Sequence, residues 1–140
     1  MNAILPPERP FPARMGELGQ AEHLVAWGFR RWVAGHADGN GHHWAMVWND
    51  FARTLGTGDG RDALGGLEAM VRAVLTGAPR PLACHRPCCP LLSADEFRIV
   101  AMVAACQAGN WTAAGCLAEW LAGPDGVGDL LQAASQLAMA

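Results

Sequence analysis

From Gly16 onward the apolar residues of this chain recur at helical spacing. Leu18, Ala21, Val25, Gly28, Phe29 and Trp32 form one stripe of a first helix, expected to end at Gly35, with Arg30 and Arg31 largely off the stripe. The segment His-Ala-Asp-Gly-Asn-Gly that follows (36–41) has the composition of a loop. A second helix carries the cleanest pattern, with Trp44, Val47, Trp48, Phe51 and Leu55 on one face, Asn49, Asp50 and Arg53 toward water, and Gly56 as its stop. Asp59 is the expected N-cap of a third helix with a stripe of Leu64, Leu67, Val71, Val74 and Leu75. Gly65 and Gly66 inside it cost about 1 kcal/mol each relative to alanine, so a close neighbour must need the space. Gly77 and Pro79 close it.

Residues 78–92 carry prolines at 79, 81, 87 and 90 and cannot be helical. They run into Ser93-Ala94-Asp95-Glu96, a capping box in which Ser93 and Glu96 each satisfy the other's backbone N–H, with Leu92 and Phe97 at the positions of a hydrophobic staple. The fourth helix is apolar almost all round and is expected at the buried centre. Gly109-Asn110 separates it from a fifth helix with Ala114, Leu117, Ala118 and Leu121 on one face. A sixth, from about Gly126, uses Leu130, Leu131, Ala134 and Leu137. No useful strand alternation and no repeat in three copies occurs. The expected architecture is an all-α bundle of about six short helices, with a proline- and cysteine-rich loop between the third and fourth. Residues 1–14 read as an extended proline-rich arm and 15–140 as one helical domain.

Composition narrows the chemistry. The chain has 140 residues, 51% of them hydrophobic and only 16% charged, which excludes intrinsic disorder. A net charge of −3 argues against nucleic-acid binding, and no apolar run reaches the ~18 residues of a membrane span. All ten basic residues are arginine, and there is no tyrosine, so lysine-based covalent chemistry and phenolic acid–base catalysis are excluded. The start of the chain lacks a secretory h-region, which points to the cytoplasm and to five cysteines held as thiols or metal ligands.

Four candidate ligands crowd into the loop: Cys84, His85, Cys88 and Cys89. Cys106, on the helix that follows, is the first choice for a further ligand; apart from that role, Cys106 and Cys116 read as core thiols. Thiolates and imidazoles are the ligands of zinc, and thiolates those of iron–sulfur clusters, but the C-x3-C-C spacing matches neither a zinc ribbon nor a ferredoxin run. Arg86 and the start of the fourth helix should depress the thiol pKa values of the loop. Three readings stand. The first is a non-enzymatic regulatory or adaptor protein holding zinc or an iron–sulfur cluster through Cys84, His85, Cys88, Cys89 and Cys106. The second is a metal-free protein-interaction module whose loop is a structural clip. The third is a thiol redox protein using Cys88 or Cys89.

Elsewhere the signals are weaker. His36, His42 and His43 bracket a loop and read as solvated, as does His23. Asp59 with Asp62, Asp95 with Glu96, and Asp125 with Asp129 are accounted for by helix starts, and no nucleotide-binding or nucleophile-elbow motif is present. Six tryptophans are many to bury in a chain of this size, so some should stay partly exposed and favour a protein partner or a homo-oligomer.

Overall fold

The computed structural model describes residues 14–140, so the expected arm (1–14) lies outside the described residues except for Arg14. Six helices follow: α1 Gln20–Asp38, α2 His42–Leu55, α3 Thr57–Gly77, α4 Ala94–Ala108, α5 Trp111–Ala122 and α6 Val127–Ala138, with short 3-10 turns at Met15–Glu17 and Pro124–Gly126. Among the described residues there is no strand, only an isolated bridge between Arg14 and Leu91. The fold is all-α, and no described helix is long and apolar enough to cross a membrane.

The apolar stripes become the core. Phe29 and Trp32 of α1, Val47 and Phe51 of α2, and Leu67, Met70, Val71 and Val74 of α3 are buried with Ile99, Met102, Val103 and Cys106 of α4. Leu117 and Leu121 of α5 and Leu130 and Leu137 of α6 complete it. A smaller cluster of Met15, Ala26, Leu92 and Val100 joins the start of the described chain to the end of the loop, and Phe97 packs against that cluster. The expectation that α4 is the buried centre holds for one face only. Ala104 and Gln107 are exposed, and α3 packs against α1, α2, α5 and α6.

Three boundaries differ from the sequence reading. The first helix begins at Gln20 rather than Gly16, and it runs a turn past Gly35 to Asp38. Gly35 is there because the Trp44 indole lies against its Cα, where any Cβ would collide with the ring nitrogen. Asp59 does not cap the third helix. That helix starts at Thr57, with Gly56 at φ +88° as the one residue between α2 and α3, and Asp59 sits in its first turn. Leu75, placed on the apolar stripe, is 48% exposed. By contrast, the glycine pair in α3 behaves as its sequence cost implied. A Cβ on Gly66 would stand 2.7 Å from the Leu137 nitrogen and 2.9 Å from the Ala133 carbonyl, so α6 rests directly on the α3 backbone.

Candidate functional site

The loop that follows α3 is organised around a residue from α1. Arg30, 1% exposed, lies inside the fold rather than off the apolar stripe as its position suggested. Its Nε donates to Glu96 Oε2 at 2.7 Å and one terminal nitrogen to Oε1 at 2.9 Å. The same terminal nitrogen donates to the Leu91 carbonyl, and the other to those of Cys89 (2.7 Å) and Arg86 (3.4 Å). A guanidinium has five N–H donors, and all five are engaged.

Glu96 is equally occupied. Besides Arg30 it accepts the backbone N–H of Ser93 (2.9 Å) and of His85 (3.0 Å). The Ser93 hydroxyl accepts the Glu96 N–H at 3.0 Å, completing the expected capping box, and donates to the Ala83 carbonyl. Burial alone would raise the Glu96 pKa. The Arg30 bond and the Ser93 and His85 N–H groups override it and hold the carboxyl below its ordinary value. The loop is thereby pinned at Ala83, His85, Arg86, Cys89 and Leu91, and a turn closes within it where the Cys89 N–H meets the Arg86 carbonyl at 3.0 Å.

Against this frame the expected ligands separate. Cys84 packs on the main core, and its Sγ lies 3.8 Å from the His85 carbonyl. Its thiol is pushed up to about 12, by burial first and then by the charge of Glu96 and a hydrogen bond to it, with Arg30 acting the other way. The depressed thiol pKa expected in the loop is therefore reversed at Cys84, because burial, reinforced by the Glu96 carboxylate, outweighs the Arg30 cation. Cys106 is buried on α4 and raised by burial, with a Ser135 hydrogen bond opposing. Cys88 is exposed, Cys89 and His85 half-buried. Cys116, read as core, is exposed on α5. Among the described residues no three His, Cys, Asp or Glu side chains are grouped so as to hold one ion, so Cys84, His85, Cys88, Cys89 and Cys106 do not form a shared centre there.

A second constellation, which sequence reasoning missed, adjoins the clasp. By sequence Asp95 belongs to the helix start, with no further role expected. Instead its Oδ2 accepts the Ala83 N–H at 3.0 Å, and its Oδ1 accepts Arg98 at 2.7 Å and Arg80 at 3.2 Å. Burial pushes its pKa up, but the Ala83 N–H and the two arginines outweigh that and lower it. Arg80 also donates to the Trp120 carbonyl at 3.0 Å. Both guanidinium carbons lie near the Trp120 ring, Arg80 at 4.0 Å and Arg98 at 4.7 Å from its centroid, within cation–π range. Trp120 is nevertheless 48% exposed. A signal was available: Asp95 and Arg98 are spaced i, i+3, and a proline-rich loop delivers Arg80 to the same helix start.

At the other end of α1, His36 and His42 are exposed as expected, while His43 is half-buried and Trp32, Trp44 and His36 make ring contacts. Trp32 and Trp44 have ring centroids 5.6 Å apart, and His36 meets Trp44 edge-on at 5.5 Å. Arg31 lies 3.1 Å from His43 Nδ1, and since arginine can only donate, Nδ1 accepts and the proton sits on Nε2, which faces Asp38 Oδ2 at 3.3 Å. Comparison with known proteins gives no match: no family, no curated protein and no solved structure corresponds to the chain.

Proposed function

We propose that this protein is a non-enzymatic helical interaction module that acts through self-association, with the cysteine loop serving as a structural clip. The observation that carries the reading is the state of Trp120. It is a large aromatic ring, half in water, held in place by two arginines that are themselves fixed by Asp95. Tryptophan and arginine are the residue types most enriched at interface hot spots, and a pre-positioned ring loses little conformational freedom on binding. The rim around it also holds Glu119, Cys116 and Pro124. Arg80 and Glu119 both border this rim, so a two-fold operation can set arginine of one copy opposite glutamate of the other.

The metal reading has less support. The carbonyls of Arg86, Cys89 and Leu91 and the N–H of His85 are committed to Arg30 and Glu96, which supports the reading of the loop as a clip. A redox role for Cys88 or Cys89 rests on the exposure of Cys88 alone.

Sedimentation of the purified chain over a wide concentration range tests the proposal. The expected result is a mass rising to twice the monomer, with Trp120→Ala and Glu119→Arg each shifting the equilibrium to monomer while the helical circular dichroism stays unchanged. A chain that stays monomeric throughout, or a dimer indifferent to both substitutions, overturns it.

A further inference from the structure

The groove bounded by α1, α2, α4 and α6 is a largely apolar hollow, and Trp120 lies outside it. Its volume is about 410 Å³, within the ~300–1,000 Å³ of small-molecule sites. Its lining includes the buried Phe51, Val100 and Leu137 and the half-buried Leu24, Val25 and Leu55. Polar groups are confined to the edge: Gln20 and Glu22 from α1, Thr54 from α2 and Gln107 from α4. A second hollow shares Gln20, Leu24 and Thr54 with it and extends it to Trp27, His23 and Asp50.

Charge decides what such a groove can take. Every formal charge on the arginine or carboxylate side chains at its edge is negative, from Glu22 and, in the extension, Asp50; no arginine lines either hollow. One Glu22 oxygen is already engaged by the Gly19 N–H at 2.9 Å, so this carboxylate is held at the groove mouth rather than free to swing away. A fatty-acid carboxylate or a phosphate would meet the like charge of Glu22 and no arginine at this edge, which disfavours an anionic head group. A hydroxyl or amide could hydrogen-bond to the amides of Gln20 and Gln107 and to the Thr54 hydroxyl.

We propose that this groove binds an uncharged amphipathic molecule, an alkyl chain or comparable hydrocarbon body ending in a hydroxyl or amide head group. The inference is independent of the self-association reading, since a different surface carries each.

The test uses the full chain with 1-decanol and decanoate, both below their aggregation limits, followed by amide and methyl NMR. Decanol is expected to give saturable shifts confined to Leu24, Val25, Leu55, Val103 and their neighbours, with decanoate at least about tenfold weaker at neutral pH. Ala104→Trp, at an exposed lining position of α4, is expected to abolish the shifts and leave the melting temperature unchanged. If that variant fails to fold, Thr54→Trp on the exposed α2 edge serves in its place. Equal binding of alcohol and carboxylate, shifts scattered over the molecule, or binding that survives the filled groove overturns the proposal. So do contacts from residues 1–13 to the Val25 and Val103 methyl groups, which would make the chain's own segment the occupant.

Discussion

Arg30 and Glu96 form a buried ion pair of an uncommon kind, because each partner also serves the backbone of a loop. Removing one member of a buried pair leaves the other charged and unmatched, which typically costs 3–5 kcal/mol. Glu96→Gln is accordingly expected to lower the unfolding free energy by about 3 kcal/mol or more in urea titration. Buried pairs can often be replaced by apolar residues of similar volume without loss. Here the double change Arg30→Met with Glu96→Leu is expected not to recover stability, since the carbonyls of Cys89 and Leu91 would lose their donor and the N–H groups of His85 and Ser93 their acceptor, at about 1–3 kcal/mol each. The thiols separate in the same way. Native-state alkylation mapped by mass spectrometry is expected to modify Cys88 and Cys116 first and to spare Cys84 and Cys106. Labelling of Cys84 as fast as Cys88 would contradict the burial that raises its thiol. Little of this was legible in the sequence. The capping box announced Ser93 and Glu96, but an arginine beside Phe29 looks solvated unless Ala26 and Val33, one turn either side, are recognised as a second inward edge. The crowd of Cys84, Cys88 and Cys89 drew attention to side chains in a segment whose backbone is what the fold grips.

At the scale of the element, the helices were readable because their stripes and end signals agree. Val47 and Phe51, Leu117 and Leu121, and Leu130 and Leu137 all fall where the apolar spacing placed them, and Asn110 caps α5 through the Ala113 N–H. What the spacing could not supply was contact between elements. Gly35 resembles a terminator in sequence and is a seat for an indole in space; Asp59 resembles a cap, but α3 has already begun at Thr57. Two glycines now make opposite forecasts. Gly66→Ala gains helix propensity of about 1 kcal/mol yet drives a methyl into the α6 backbone, so a net loss of about 1–3 kcal/mol is expected. Gly115→Ala in α5 meets nothing within 4 Å, and a gain of up to about 1 kcal/mol is expected. Thermal melts of the two variants beside the parent chain check both signs.

Over the whole molecule, the absence of lysine and tyrosine gives the pH dependence an unusually simple form. Glu96 and Asp95 have folded-state values below their ordinary 4.5 and 3.8, so their contribution is complete above those values and is lost as acid carries the pH down through the depressed ones. On the alkaline side the sign is opposite. Cys84 is raised from 9.0 to about 12, so the unfolded chain loses its proton first and stability declines as pH climbs from 9 toward 12. With neither lysine nor tyrosine to titrate in that interval, the alkaline slope belongs mainly to the thiols. Cys84→Ala is expected to flatten it in unfolding curves recorded at stepped pH, while leaving the acid limb in place.

The clasp also has a kinetic corollary. Its two charged partners are 66 residues apart, and neither can be buried until α1 and α4 have docked. Closing so long a stretch of chain before its reward arrives is unfavourable, so this joint should lock after the rate-limiting step rather than within it. We therefore expect Glu96→Gln to leave refolding almost as fast as before and to shorten the lifetime of the native state, the signature of an interaction absent from the transition state. In that case Arg30 acts as the latch that sets how long the finished fold endures, with little say in how quickly it is reached.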